Sequence, residues 1–292
     1  MNTPTSTLAP ATEQPKVFVG ICTGLSKAYA NHYMVAALKN LDWTNMEIHW
    51  AITHFGDTAS DVYIENLKQL MDTVKWNCNI HFHTTHLKPN EYEHVRLEDT
   101  NNKETKIVHC YDPVVRNLRL LRGKFLDGDC TYFLEVGGDN PPPRNSVKRL
   151  MKLDADAAFG TCYQRPERDL IDSRGNPLVW CYSWHPKDLN KYGLEPELQE
   201  QFKLAYVNCA FLMPLRARKD WRRLKYLRNC ASGTGLVLIK RRVLERVGWR
   251  MPPSRYFSED LYFCHQCNLH GFSTVVDLRF HVPHMHDNGE VF

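Results

Sequence analysis

Residues 131–143 read TYFLEVGGDNPPP, and this stretch decides how the chain is organised. Its first six residues are mostly β-branched, aromatic or apolar, as in a buried strand. Gly137 and Gly138 allow another molecule to approach the backbone closely, Asp139 follows them, and the prolines prevent the strand from continuing. Open α/β sheets bind ligands just past the carboxyl ends of their strands. Asp139 therefore predicts a site for a metal ion or a phosphorylated ligand.

Length and composition are those of an ordinary globular protein. The chain has 292 residues, of which 43% are hydrophobic and 24% charged, and its formal net charge of +4 does not by itself indicate nucleic-acid binding. No apolar run reaches the roughly 18 residues that span a bilayer. Residues 1–15 lack the features of a secretory signal and predict a disordered leader. The ten scattered cysteines then predict reduced thiols and a cytoplasmic location.

Strand and helix patterns alternate after the leader. Strands are predicted at 16–23, 46–53, 79–84, 131–136, 235–240 and 273–280, and helices at 28–41, 61–74, 114–125, 145–153, 242–247 and 258–270. This order predicts an α/β fold with a mostly parallel sheet and helices on both faces. Residues 154–230 have weak periodicity and predict long loops.

Four acidic residues are candidates for chemistry. Asp139 suits Mg²⁺ or Mn²⁺, which take one or two carboxylates together with substrate phosphates, although a turn Asp that solvates a strand end is an alternative. Glu135 would lie ~13 Å from Asp139 in an extended strand, so it fits a partner of a basic residue better. Glu259 and Asp260 follow Ser258, which predicts either a capped helix start or a general base at a helix entrance.

Histidines and cysteines near the end of the chain suggest metal binding in two ways. His281, His284 and His286 follow a predicted strand and are candidate ligands. Residues 262–286 also approach a zinc-finger spacing. A finger needs a helix between its second cysteine and first histidine, whereas the β-branched run at 273–276 predicts a strand, which argues against a finger.

A basic stretch lies at residues 216–228, with seven Lys or Arg. Trp221, Leu224 and Leu227 recur at helical spacing, which predicts a basic amphipathic segment. A solvated protein face, a membrane surface and an anionic acceptor all remain open as its environment.

Several motifs in this order resemble the GT-A glycosyltransferases, particularly the family-2-like inverting enzymes. Arg116-Asn117 on a helix ahead of GDCTYFLEVGGDNPPP is similar to the family's RN…GD-hydrophobic-DxD…P arrangement. Residues 231–235 (ASGTG) with the following KRRVLERVGW resemble its acceptor loop and helix, and residues 257–277 resemble its ED…G block. The resemblance runs from residue 16 to 285. It implies one Rossmann-like GT-A domain at 16–292, with a nucleotide-sugar half (16–140) and an acceptor half (141–292).

The resemblance also implies site residues. Asp139 matches the last Asp of the DxD motif, which holds Mn²⁺ or Mg²⁺ on the donor diphosphate. His284 fits best as a further metal ligand, with His281 and His286 as competitors. Asp260 matches the catalytic base, with Glu259 beside it.

The donor site is implied to include Thr23, Asp57, Arg116, Gly137, Gly138 and Asp139. The chain departs from the family because Gly137 and Gly138 stand where acids are usual. A single carboxylate implies a weakly held metal or metal-independent transfer.

The implied activity is transfer of a sugar, with inversion, from a UDP- or GDP-sugar to a hydroxyl of a glycan or lipid-linked acceptor. The implied location is cytoplasmic, with membrane contact through 216–228 and no nucleic acid. One alternative is a sugar nucleotidyltransferase, which would need a glycine-rich basic loop after the first strand, where ICTGLSKAY offers one Gly and one Lys. A non-catalytic nucleic-acid- or zinc-binding protein and an inactive sugar-binding relative are the others.

Overall fold

The computed structural model describes residues 14–87, 103–162, 181–186, 210–214, 225–250 and 259–287. The strands in these ranges are β1 (Val17–Gly24), β2 (Met46–His54), β3 (Asn79–His86), β4 (Tyr132–Gly137), β5 (Ala157–Cys162), β6 (Cys181–Pro186), β7 (Ala210–Pro214), β8 (Tyr226–Arg228), β9 (Cys230–Ser232), β10 (Leu236–Lys240) and β11 (Thr274–Val282). The helices are a 3-10 helix (Leu25–Ala30), α1 (Asn31–Lys39), α2 (Thr58–Asp72), α3 (Lys103–Asp127), α4 (Ser146–Met151), α5 (Arg241–Arg246) and α6 (Glu259–Leu269).

Eight strands form the main sheet in the order β3-β2-β1-β4-β10-β5-β11-β8. The pairs β1–β2, β2–β3, β1–β4 and β5–β11 are parallel. β10 runs antiparallel between β4 and β5, and β8 is antiparallel to β11. The prediction of a mostly parallel sheet is confirmed.

The strand order reverses beside β1. After β1 the chain adds β2 and β3 on one side, and β4 then pairs with the other side of β1. Such a reversal opens a crevice at the carboxyl ends of the strands, where α/β sheets bind ligands. β10 is antiparallel to both of its neighbours, β4 and β5, so β4, β5 and β11 all point the same way as β1. The residues after β1, β4 and β11 therefore meet at one edge of the sheet.

Helices cover both faces of the sheet, as predicted. On one face α3, α5 and α6 bury Phe125, Val243 and Phe263, and on the other α1, α2 and α4 bury residues such as Met34 and Leu67. Apolar residues three or four apart, such as Leu118, Leu121 and Phe125 of α3, place one face of each helix on the sheet. The two cores fix the strands whose ends carry the site.

The prediction of loops over 154–230 was wrong for part of that stretch. β5 lies inside the main sheet with all six residues buried, and β6, β7 and β9 form a second sheet in the order β7-β6-β9. The sequence of β5, AAFGTC, has two alanines, a glycine and a single β-branched residue, so its composition does not predict a strand. A Cβ at Gly160 would collide with the Val282 side chain, which explains the glycine there.

Two further predictions fall partly outside the described residues. Of the basic stretch, residues 216–224 lie outside them, and Tyr226–Arg228 is strand β8, so a helix there is wrong. Of the leader, residues 1–13 lie outside, whereas the Gln14 and Pro15 carbonyls accept hydrogen bonds from Asn45 and Trp43. No helix among the described residues is both long and apolar enough to cross a bilayer.

Candidate functional site

Asp139 is the centre of a cluster at the reversal point of the sheet. Lys27 Nζ forms an ion pair with Asp139 Oδ2, and the Tyr29 hydroxyl donates to the same oxygen over 3.1 Å. Lys27 and Tyr29 lie on the 3-10 helix that follows β1. His284, just past β11, places Nε2 3.4 Å from Asp139 Oδ2. Two segments that are distant in sequence from Asp139 thus converge on its carboxylate.

The charge of Asp139 is strongly favoured by this environment. Burial would raise its pKa, but the hydrogen bond from His284 and the charge of Lys27 outweigh burial and hold the pKa well below its usual range. The pKa of Tyr29 is raised, first by burial and then by the charge of Asp139. At neutral pH the cluster therefore contains an ionised carboxylate and a protonated phenol.

The two glycines before Asp139 leave no space for acidic side chains. A Cβ at Gly137 would lie 2.5 Å from Asn140 Oδ1, and one at Gly138 would lie 2.6 Å from the carbonyl oxygen of Cys22. Asn140 is itself held by a 3.2 Å hydrogen bond from Nδ2 to the Pro283 carbonyl. Close packing of this loop on β1 explains why only one acid is present.

A second group of acids lies at the start of α6. Glu259 and Asp260 are both buried, and the Leu261 N–H donates to Asp260 Oδ1 over 2.6 Å. Burial and the charge of Asp260 raise the pKa of Glu259 well above its usual value. α6 is joined to the end of β9 through Cys264, whose thiol lies 3.7 Å from the Ser232 carbonyl oxygen. The charge of Glu259 also acts on Cys22, near the end of β1, so Glu259 lies close to the carboxyl edge of the main sheet.

Glu135 of β4 belongs to this acidic group, and the expectation of a basic partner for it is wrong. Burial raises its pKa well above the usual value, a hydrogen bond with Thr234 opposes the shift, and the charges of Glu259 and Asp260 add to it. Glu135 Oε2 has no hydrogen-bond partner among the described residues. Burial therefore favours the protonated forms of Glu135 and Glu259.

The two groups of acids are close enough to act on a common neighbour. Burial raises the pKa of Cys162 to about 12, and the charges of Asp139 and Asp260 both contribute. Cys162 ends β5, so both carboxylates lie near the same edge of the sheet. Asp139 and Asp260 therefore lie near the same part of the crevice.

The remaining predicted donor residues occupy different positions. Thr23 is buried at the end of β1, with Oγ1 2.8 Å from the Tyr63 hydroxyl. Asp57 is exposed and caps α2 by accepting from the Ser60 N–H over 2.9 Å. The Asp57 carboxylate therefore serves as the N-cap of α2. Arg116 is half-buried on α3.

Asn117, beside Arg116, fixes this part of α3 to the sheet. Its amide donates to Thr53 Oγ1 over 3.0 Å and accepts from the Thr85 hydroxyl. Both threonines lie near the carboxyl ends of their strands. Arg116 is therefore carried on a helix that is anchored close to the crevice.

Asp139 and His284 can be tested as a metal site by their donor atoms. One carboxylate oxygen and one imidazole nitrogen 3.4 Å apart are spaced as two ligands of a single ion. Mg²⁺ and Mn²⁺ are often held by so few protein ligands when a diphosphate supplies the others. The residues fit such an ion, but it must displace Lys27 from Oδ2. The His286 ring lies beside His284 at a tilt of 47°, with ring centroids 4.6 Å apart, and burial lowers the pKa of His281.

Sequence reasoning missed the roles of Lys27 and Tyr29. Their segment, residues 21–29, contains one glycine and one lysine, which is a weak match to a glycine-rich basic phosphate loop. That lysine contacts Asp139 across 112 positions of sequence. The available signal was a lysine just after the first strand of an α/β sheet, which places it at the ligand-binding edge.

Comparison with known proteins gives similarity of structure alone. No family model and no curated protein matches the chain. The mannosyltransferase PcManGT from Pyrobaculum calidifontis, in complex with GDP-Man and Mn²⁺, is 12% identical with a TM-score of 0.46, and the match covers 93% of this chain and 57% of that one. TarS 1–349 from S. aureus, in complex with UDP, is 9% identical with a TM-score of 0.45, covering 91% and 59%.

A longer TarS structure is 10% identical with a TM-score of 0.43, and the match covers 36% of it. The chain thus spans between about a third and three fifths of the length of these proteins. They are glycosyltransferases, the class that the sequence motifs resemble. At such TM-scores the likeness assigns no activity to this chain.

Proposed function

We propose that this protein is a glycosyltransferase that moves a sugar from a nucleotide-diphosphate sugar to an acceptor hydroxyl. The observation that supports it best is the convergence of Lys27, Asp139 and His284 at the reversal point of the sheet. This is the position at which an α/β sheet binds a nucleotide. The buried acids at the start of α6 lie by the same edge and supply a base.

The diphosphate is a good leaving group only if its developing charge is neutralised. Lys27 provides a positive charge beside Asp139, and Arg116 is a second candidate. Asp139 and His284 would hold Mn²⁺ or Mg²⁺, which would neutralise the same charge as a Lewis acid. With one carboxylate in the site, that ion is held weakly.

Asp260 acts as the base in this proposal. The acceptor oxygen forms a bond to the anomeric carbon while the bond from that carbon to the diphosphate oxygen breaks, and the acceptor proton passes to Asp260. Burial raises the pKa values of Glu135 and Glu259, which favours their protonated forms and leaves Asp260 as the proton acceptor in this proposal. Attack opposite the leaving group inverts the anomeric configuration, and alignment of both substrates in the crevice supplies much of the rate.

The donor is a UDP- or GDP-sugar and the acceptor a glycan or lipid-linked glycan, as the sequence resemblance implies. The basic stretch at 216–228 would bring the protein to a membrane surface that displays such an acceptor. No nucleic acid takes part.

Purified protein should be screened with UDP-, GDP- and dTDP-sugars, with and without Mn²⁺, for release of the nucleoside diphosphate. With a donor that is cleaved, Asp260→Asn should lower transfer by at least about 100-fold, the range of a lost general base, and leave donor affinity within about twofold. Asp127→Asn, at the exposed end of α3, is the matched control. Full activity of Asp260→Asn would exclude Asp260 as the base.

A sugar nucleotidyltransferase is the second candidate, and the position of Lys27 favours it. Such an enzyme needs a basic group directly after the first strand, and Lys27 occupies that place. The two activities release different products. Pyrophosphate from a nucleoside triphosphate and a sugar phosphate would identify the nucleotidyltransferase, whereas a nucleoside diphosphate would identify the glycosyltransferase.

A further inference from the structure

A cluster of histidines lies on β2 and β3, away from the crevice. His49 pairs with His81 in the register of the two strands, and Glu47 and His83 lie two residues from them. Because side chains alternate across a strand, these four residues share one face of the sheet. They lie before the carboxyl ends of β2 and β3, so they are outside the cluster around Asp139. The proposed function uses none of them.

Three of these side chains bring ligand atoms together. One donor atom each from Glu47, His49 and His81 lie within 4.8 Å of one another. Glu47 Oε1 is 3.4 Å from His49 Nε2, and the rings of His49 and His81 stack with centroids 4.3 Å apart. A carboxylate with two imidazoles is a common ligand set for divalent transition metals.

The orientation of His49 points to a ligand. Its side chain is 8% exposed and held against the Phe18 ring at a centroid distance of 3.9 Å. Its Nδ1 is hydrogen-bonded to His83 Nε2 over 3.0 Å. Its Nε2 faces Glu47 Oε1 at 3.4 Å, which is longer than a normal hydrogen bond, and no closer partner lies among the described residues. A buried polar atom with so long a contact is poorly satisfied, and a bound cation would satisfy it.

The chemistry of His49 agrees with this arrangement. When Nδ1–H donates to His83, the lone pair of Nε2 faces the carboxylate. Metal-ligating histidines are usually oriented in this way, with the second ring nitrogen donating to an acceptor.

We propose that Glu47, His49 and His81 bind one divalent transition-metal ion, for which Zn²⁺ is the best candidate, and that His83 orients His49. A tetrahedral ion with donors at ~2.1 Å needs donor atoms ~3.4 Å apart, so the widest pair must close by up to about 1.4 Å. His81 is exposed on the edge strand β3 and is free to make that adjustment. Its exposure also gives the ion a path from solvent.

Neighbouring side chains affect how readily Glu47 and the histidines can bind the ion. Lys16 Nζ lies 3.3 Å from Glu47 Oε2, but it also contacts Asp129 at 2.5 Å and can remain there when Glu47 turns to a metal. The Cys130 thiol donates to Glu47 Oε1 over 3.3 Å and could become a fourth ligand. The positive charge of Lys124 lies near His83 and disfavours another cation beside it. A bound ion would join β3 to β2 at the open edge of the sheet.

The test is Zn²⁺ binding by the full-length protein after removal of metals with a chelator. Isothermal titration should give one equivalent of Zn²⁺, and thermal unfolding should shift upward on Zn²⁺ addition. His81→Gln and Glu47→Gln should each weaken that affinity by at least about 10-fold, whereas His270→Gln, an exposed histidine outside the cluster, should not change it. His81→Gln changes an exposed side chain, so its fold can be verified by circular dichroism.

A separate variant distinguishes the histidine cluster from the other candidate metal site, at Asp139 and His284. Asp139→Asn should retain the Zn²⁺ equivalent and its thermal shift if the histidine cluster is the site. Co²⁺ as a probe should give d–d absorption bands that depend on His81 and not on Asp139. An absence of Zn²⁺ binding in the wild type, or equal binding by folded His81→Gln, would overturn the proposal.

Discussion

Replacing Lys27 by Met tests the role of the amino group beside Asp139. The substitution removes the charge but keeps most of the aliphatic stem, so the result reports on the ion pair. Lys68→Met, an exposed lysine on α2, is the matched control. Both the stability of the fold and the metal requirement of the reaction should change.

The magnitude follows from the burial of the two partners. Removal of one partner costs about 3–5 kcal/mol in a buried ion pair and about 0–1 kcal/mol in an exposed one. The Asp139 side chain is 8% exposed, whereas that of Lys27 is 39% exposed and is partly screened by solvent. His284 and Tyr29 still contact the carboxylate in the variant. We therefore expect a loss of about 2 kcal/mol, or about 3 °C in Tm for a chain of this size.

The loss should depend on pH. The folded-state pKa of Asp139 lies below that of the unfolded chain, so its ionisation stabilises the fold above about pH 4 and this contribution is lost as pH falls through the folded pKa. The difference between wild type and Lys27→Met should be constant from pH 5 to 8 and should decrease below about pH 4. Urea unfolding at a series of pH values measures it.

The metal requirement should change because Lys27 and a divalent ion compete for Oδ2. In the chelator EDTA the wild type should retain part of its donor-cleavage rate, since Lys27 neutralises the diphosphate. Lys27→Met should lose that rate in EDTA and regain it with Mn²⁺ at a lower half-saturating concentration than the wild type. Equal Tm and equal metal requirement of Lys27→Met and Lys68→Met would contradict this role of Lys27.

Two further predictions concern residues around the same edge. Gly138→Ala should lower the free energy of unfolding by about 1–3 kcal/mol, because its Cβ would meet the Cys22 carbonyl oxygen, whereas Gly123→Ala on α3 meets open space and should raise it by up to about 1 kcal/mol; urea titration of both compares them directly. Glu135→Gln should match the wild type in stability near pH 4 and exceed it at pH 8. The raised folded pKa of Glu135 makes the wild type lose stability as pH rises above the unfolded value, and Gln removes that loss; equal pH profiles would contradict the raised pKa.

The parts of the fold with strong local patterns could be predicted from sequence. β1, β2 and β4 carry runs of branched and aromatic residues, and the helices between them show apolar residues three or four apart. β5 lacked such a pattern because it is buried on both sides by close packing against β11, which selects small residues. Its pairing partners lie more than 70 residues away, and no local signal encodes them.

The residues of the candidate site also differ in whether local sequence predicts them. Asp139 was accessible from local sequence because a strand, two glycines and an acid are consecutive. The partners of that acid were not, since Lys27 and His284 reach it only after three strands have taken their places in the sheet. The acidic surroundings of Glu135 were hidden for the same reason, because α6 contributes the other two acids.

The single acid of the loop and the lysine beside it have a common physical basis. Packing of Gly137 and Gly138 against Asn140 and the backbone of β1 leaves no volume for further carboxylates, so the loop can offer one negative charge. One carboxylate binds a divalent ion weakly, whereas an amino group covalently fixed to the protein needs no free ion in solution. With Lys27 at Oδ2 the pair is close to neutral before a donor binds. In the proposed reaction an arriving diphosphate would meet a positive group already in position, and a metal ion would add to that charge instead of supplying all of it.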